Sequence, residues 1–152
     1  MTAVTYEQTK PLQILLVEDN LSHAKLVRRG LEKHQIENEI THVFDGEQAL
    51  DYLYQRGSFA VKDNAPEPQL ILLDLRLPKI DGIEVLKQVK TDKKLKHIPI
   101  VILTTSERRD DLGAAYNNYA NSYLVKPTNL EDFKSLLYEL GIYWLACNKN
   151  YA

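Results

Sequence analysis

Five short β-prone runs, each followed by a stretch with helical spacing, set the first constraint on this chain. Leu12 to Val17 is nearly all aliphatic, Glu39 to Phe44 follows it, Leu70 to Leu73 and Ile98 to Leu103 are aliphatic again, and Ser122 to Val125 is a short last run. Unbroken apolar strands are those covered on both faces, and strands that alternate with helices build a mostly parallel sheet. The expected architecture is one α/β domain of five βα units. A chain of 152 residues is about one domain long and can bury roughly two-thirds of the surface it exposes when unfolded.

The helical stretches carry their own signals. Asn20 can cap a helix on which Ala24, Val27 and Leu31 form a buried stripe, with Lys25, Arg28 and Arg29 toward water. Asp45-Gly46 turns into a second helix with Ala49, Leu50 and Leu53 inward, and Gly57 stops it. Ser58 to Gln69, with Pro66 and Pro68, reads as a long exposed loop. Pro78 and Asp81-Gly82 lead into a third helix bearing Ile83, Leu86 and Val89. A polar stretch, Arg108 to Tyr116, is the least marked helix. The last begins at a Thr128/Glu131 capping box, buries Phe133, Leu136, Leu137 and Leu140, and ends at Gly141.

In parallel α/β sheets the ligand site lies beyond the carboxyl ends of the strands, which makes the residues just after each apolar run the ones to inspect. They are Glu18 and Asp19 after the first run, Asp74 after the third, Thr104 after the fourth, and Lys126, before Pro127, after the fifth. Singly, each has an ordinary explanation: a helix-entry acidic pair, a turn former, a polar strand end, a solvated lysine. Together they place three acids, a hydroxyl and an ammonium at one edge. Carboxylates so gathered repel one another and are kept ionised by a hard divalent cation, Mg²⁺ being the obvious candidate, held by Asp19, Asp74 and a backbone oxygen. A carboxylate can attack phosphorus if the charge of the transferring group is neutralised, here by the cation and Lys126, while Thr104 donates to a phosphoryl oxygen.

Read in order, Leu-Leu-Val-Glu-Asp-Asn at 15 to 20, Leu-Leu-Asp-Leu-Arg-Leu-Pro at 72 to 78, Asp-Gly at 81 to 82, Leu-Thr-Thr-Ser at 103 to 106 and Tyr-Leu-Val-Lys-Pro at 123 to 127 closely resemble the receiver domain of bacterial response regulators. The likeness covers about Leu12 to Leu140. It implies a doubly wound, flavodoxin-like sheet of five parallel strands flanked by five helices, and a phosphoacceptor at Asp74. It also implies metal ligation by Glu18, Asp19, Asp74 and the backbone carbonyl of Arg76, catalytic roles for Thr104 and Lys126, and a switch formed by Thr104 with Tyr123. The acidic pair is Glu-Asp where many members have Asp-Asp, so Glu18, with its longer arm, is expected to reach the cation through water. The long loop, the Leu-Thr-Thr-Ser segment and the aromatic tail resemble the regulators that accompany cyanobacterial phytochromes, which implies phosphotransfer from a phytochrome-like sensor histidine kinase and pairing as a homodimer.

Composition narrows the alternatives. With 19 basic against 21 acidic residues and a net charge of −2, the chain lacks the basic surplus that nucleic-acid binding requires. The single cysteine, Cys147, excludes an intramolecular disulfide and suits a reducing compartment. Met1 to Lys10 has no signal-peptide core, and no apolar run approaches the roughly 20 residues that span a bilayer. A cytoplasmic protein without membrane contact is expected, divided into an N-terminal extension at 1–11, a receiver domain at 12–140 and a tail at 141–152. The tail is too short for an output domain, so output should pass through protein contacts. Tyr116 and Tyr119 near the fourth helix, with Tyr143 and Trp144 of the tail, are the expected interface, although the tail aromatics could instead fold back over the last helix. A binding module indifferent to phosphorylation, or a cofactor carrier on the same sheet, are the rival classes. The intact acid, hydroxyl and lysine set speaks against the first, and the lack of a Gly-rich phosphate loop after the first strand against the second. Such a domain catalyses only its own phosphorylation and hydrolysis and is not an enzyme acting on an external substrate.

Overall fold

The computed structural model describes residues 11–32, 37–61 and 65–147, with side chains as far as 144. The N-terminal segment Met1 to Lys10 and the side chain of Cys147, both named above, lie outside what is described. The order is β1 (Leu12–Val17), α1 (Leu21–Glu32), β2 (Asn38–Val43), α2 (Gly46–Leu53), β3 (Leu70–Leu73), α3 (Gly82–Thr91), β4 (Ile100–Thr104), α4 (Arg109–Asn117), β5 (Ser122–Val125) and α5 (Leu130–Gly141). The five strands form one parallel sheet in the order β2-β1-β3-β4-β5. The chain thus steps outward from β1 in both directions, and the crevice where the order reverses opens between β1 and β3.

Side-chain alternation divides the interior in two. Leu15 and Val17 of β1, Ile71 and Leu73 of β3, and Ile100 and Ile102 of β4 face one layer with Ala49, Leu50, Val85, Leu86, Val89 and Ala115 of α2, α3 and α4. Their neighbours Ile14, Leu16, Leu70, Leu72, Val101 and Leu103 face the other layer with Ala24, Val27 and Leu31 of α1 and Phe133, Leu137 and Leu140 of α5. Both faces being covered is why β1, β3 and β4 carry almost no polar residue. The edge strand β5 is only half-buried.

Several boundaries differ from the sequence expectation, each for a local reason. β2 ends at Val43, leaving Phe44 exposed at the turn. α2 stops at Leu53, before Gly57, because Gln55 already adopts a left-handed φ of 52°. The loop after it is not wholly exposed: Ala65 and Pro68 are buried, and the Tyr52 hydroxyl donates to the Pro66 carbonyl at 2.7 Å. β4 begins at Ile100 rather than Ile98, since Pro99 has no N–H for a strand ladder. Asn129, not Thr128, caps α5, its Oδ1 accepting from the amides of Glu131 and Asp132 at 2.8 and 3.2 Å. The α-helix ends at Gly141 as expected, but the chain does not turn away there. The backbone continues through a wider, π-helical segment, Ile142–Cys147, which carries the Trp144 indole into the α1/α5 layer.

Trp144 is 7% exposed and belongs to the packing of its own domain; the expectation that it stands on an interface is corrected, since its apolar ring finds core surface left open beside α1 and α5. Tyr143, which it meets edge-on, stays on the surface. The described part of the expected tail therefore extends α5 rather than forming a separate element. No helix among the described residues is long and apolar enough to cross a membrane.

Candidate phosphoacceptor site

At the carboxyl end of β3, the acceptor candidate Asp74 is buried but reachable from the crevice, its backbone amide bonded to the Val17 carbonyl of β1. Lys126, carried by the end of β5, runs back under the loops. Its side chain is 1% exposed, and its ammonium donates to Asp74 Oδ2 at 2.8 Å, to Glu18 Oε1 and to His23 Nδ1 at 3.1 Å. Thr104 is fully buried at the end of β4, its hydroxyl close enough to the Asp74 carboxylate to favour the charged form. The Arg76 amide donates to Asp74 Oδ1 at 3.2 Å, which folds the loop after Asp74 back over it.

Burial by itself raises the Asp74 pKa. The Lys126 ammonium, the Thr104 hydroxyl and the Arg76 amide together outweigh it and hold the carboxyl below its usual range, so Asp74 is an anion at neutral pH. Glu18 has the opposite fate. Desolvation pushes it up to about 7, more than its contact with Lys126 can offset, and the neighbouring Asp74 charge adds to the rise. Two carboxyls sharing one ammonium have been driven apart in proton affinity, the more basic one just after β1 and the ionised one just after β3.

Glu18, Asp19 and Asp74 can each offer a ligand atom within 4.8 Å of the others. Asp19 is exposed, while Glu18 and Asp74 are buried. Such a set of hard oxygen donors, open on one side, fits a divalent cation, which would also relieve the repulsion between the carboxylates. The expected site residues Glu18, Asp19, Asp74, Thr104 and Lys126 thus converge. Tyr123 lies one element away: half-buried, its ring packs toward the α2/α3/α4 layer and its hydroxyl donates to the Ser106 carbonyl at 2.9 Å. Tyr116 and Tyr119 are not at the site. They stand exposed on and just after α4.

The sequence reading missed four neighbours. His23, on the first turn of α1, accepts from Lys126; burial first, then that ammonium, hold its imidazole below the usual range. His42 Nε2 donates to the Glu18 carbonyl at 2.7 Å and fixes the acidic loop from β2. Ser106 and Asp111 bond each other across the β4–α4 connection. Position two after Thr104 was a usable hint for Ser106; for the others no local pattern announces a partner that lies on another element.

A buried ionised aspartate, an ammonium on it, a hydroxyl aimed at it and a carboxylate set for a cation, all at the switch point of a five-stranded doubly wound sheet, define a receiver site. The chain belongs to the response regulator receiver domain family, whose pattern matches residues 14–138. It is 46% identical over 146 residues to the probable methanogenesis regulatory protein FilR2 of Methanothrix harundinacea, covering 95% of this chain and 90% of that protein. The Mn²⁺-bound form of response regulator Rcp1 superposes with a TM-score of 0.89 at 42% identity, covering 93% of this chain and 100% of the other; Rcp1 is a protein of Synechocystis sp.. The phosphorylated cyanobacterial phytochrome response regulator RcpA gives the same TM-score at 38% identity, with 94% and 100% covered. The chain is accordingly a response-regulator receiver related to phytochrome response regulators, a signalling domain rather than an enzyme of the usual kind.

Proposed function

We propose that this protein is the phosphoacceptor of a two-component relay, taking a phosphoryl group from a phosphohistidine of a phytochrome-like sensor histidine kinase onto Asp74, in the cytoplasm, and signalling through protein contacts. The observation that carries the reading is the ionised, buried Asp74 with Lys126 at 2.8 Å on one oxygen. In the transfer an Asp74 oxygen forms the new bond to phosphorus while the phosphorus–nitrogen bond of the donor imidazole breaks, its electron pair returning to that ring. Lys126 neutralises charge on the phosphoryl oxygens, and the Thr104 hydroxyl donates to one of them. Mg²⁺, held by Asp19 and Asp74 with the Arg76 carbonyl and, through water, Glu18, would supply the remaining neutralisation when bound. The receiver unit at 12–140 pairs as a homodimer across the face bearing Tyr116, which is 50% exposed, and Tyr119, which is 74% exposed, with Tyr143 beside the last helix.

Intact-protein mass spectrometry after treatment with acetyl phosphate and Mg²⁺ tests the reading. One added phosphoryl group of about 80 Da is expected, absent in Asp74→Asn and absent without the metal. No addition to the native chain, even from a histidine kinase that phosphorylates a related regulator, would overturn it. Light scattering on the same samples reads the pairing.

The shifted Glu18 also makes a pH prediction. Its folded pKa of about 7 lies above the ordinary 4.5, so between these values the native state binds more protons than the unfolded chain. That contribution to the stability of the metal-free protein is complete below the ordinary value and is lost as pH rises through the folded one. Cation binding favours the deprotonated carboxylate, so apparent Mg²⁺ affinity should rise about tenfold between pH 6 and pH 8. Calorimetric titration measures it, and Glu18→Gln should flatten the dependence.

A further inference from the structure

Among the nine residues of α4 only Ala115 is buried, so little apolar packing decides where this helix sits. What ties its first turn to the rest of the molecule is polar. Asp111, on that turn, accepts on one oxygen, Oδ2, from two different loops: the Ser106 hydroxyl of the β4–α4 connection and, at 2.5 Å, Arg76 Nη2 of the loop after β3. Its side chain is 15% exposed against 55% for Arg76, so the oxygen is better shielded than in an ordinary surface pair.

Both loops lead straight to the acceptor. The Arg76 amide donates to Asp74 Oδ1 at 3.2 Å, and the Ser106 amide donates at 3.4 Å to the Thr104 hydroxyl oxygen, a group that helps to keep Asp74 ionised. The Ser106 carbonyl in turn receives the Tyr123 hydroxyl, and the Ser106 hydroxyl also receives the Arg108 amide at 3.3 Å. One carboxylate therefore gathers the chain leaving Asp74, the chain leaving Thr104 and the start of α4.

Resting on the reading of Asp74 as phosphoacceptor, we propose that Asp111 is a positioning residue that transmits the state of Asp74 to α4. A phosphoryl group on Asp74 brings added negative charge beside the Arg76 loop and engages the Thr104 hydroxyl. Both events change the forces on the two donors that meet at Asp111, and α4, anchored in the core by Ala115 alone, follows that carboxylate. The neighbouring Asp110, on the same turn, makes only a 3.8 Å contact with Arg108 and is 90% exposed; it shares the charge but not the connection.

The test is amide NMR of the full chain with Mg²⁺, before and after beryllofluoride, which mimics a phosphoryl group on a carboxylate. In the native protein shifts are expected around Asp74 and Thr104 and along Arg109–Asn117. In Asp111→Asn the shifts around Asp74 and Thr104 should persist, while those of α4 fall by about two-thirds or more. Ser106→Ala, which removes one of the two donors and leaves the acid in place, should reduce them in the same direction, and Asp110→Asn should leave them as in the native chain. An undiminished α4 response in Asp111→Asn and Ser106→Ala, or an equal loss in Asp110→Asn, overturns the proposal. A native chain that shows no shift at Asp74 sinks the phosphoacceptor reading and this coupling with it, which separates the two failures.

Discussion

Replacing Lys126 by Met should lower the stability of the metal-free protein by about 3 kcal/mol near neutral pH, because the change strips the counter-ion from buried carboxylates while leaving them in place. The Lys126 side chain is 1% exposed, with Glu18 and Asp74 both on its ammonium. Losing one partner of such a group costs far more than the intact group contributes, since the remaining charge stays desolvated. Without the ammonium, Asp74 loses the chief influence that lowers its pKa, and the two carboxyls regain ease by taking up a proton. The deficit should therefore shrink when pH falls to about 5, and also when Mg²⁺ is added, since either supplies positive charge at the same place. Urea unfolding at the two pH values, with and without the cation, measures all three effects. A variant as stable as the native chain at neutral pH without metal would mean that Glu18 and Asp74 do not depend on Lys126. Phosphorylation by acetyl phosphate should fail in the variant even where it is folded, as the phosphoryl oxygens have lost their cation.

Gly82→Ala is expected to be nearly as damaging, by a different route. A Cβ at this position would lie 2.3 Å from the Asp74 carbonyl oxygen and 2.6 Å from Leu75 Cα. Those are backbone atoms, and the Gly82 amide is also bonded to the Leu75 carbonyl at 2.9 Å, so no side chain can rotate away to make room. Overpacking of this kind costs about 3 kcal/mol when the backbone must yield. The requirement is close approach: α3 starts directly against the Asp74 peptide, unlike Gly57, whose φ of 61° asks for a residue without a side chain on conformational grounds. Because the displaced atom is the Asp74 carbonyl, the surviving folded protein should also be phosphorylated more slowly. Thermal unfolding together with the rate of the mass gain reads both. Native-like stability would show that the α3 entry can slide along β3 without strain.

Much of this is legible in the sequence alone. β1, β3 and β4 were readable because each is covered on both faces and carries almost no polar residue; Asp74 and Thr104 were readable because they stand at the ends of such runs, and Lys126 because it follows the short run of β5. α4 was hard to find for the same physical reason that makes its coupling to the site depend on Asp111: with a single buried residue it has no apolar stripe. The α5 cap went to Asn129 rather than Thr128 because two adjacent residues of suitable chemistry competed, and the backbone placed only the second with its oxygen over two free amides.

What the sequence determined by itself was local or periodic: which runs are strands, which helix faces turn inward, and which polar residues stand at strand ends. What only the tertiary structure decided was pairwise across elements. It gave Lys126 to Glu18 and His23 as well as to Asp74, set Glu18 near pKa 7 while Asp74 ionises, joined Arg76 and Ser106 at Asp111, and drew Trp144 inward beyond the glycine that closes α5. Hydrophobic patterning repeats along the chain and can be read there, whereas the energy of a buried charge depends on which distant group the fold brings within about 3 Å of it.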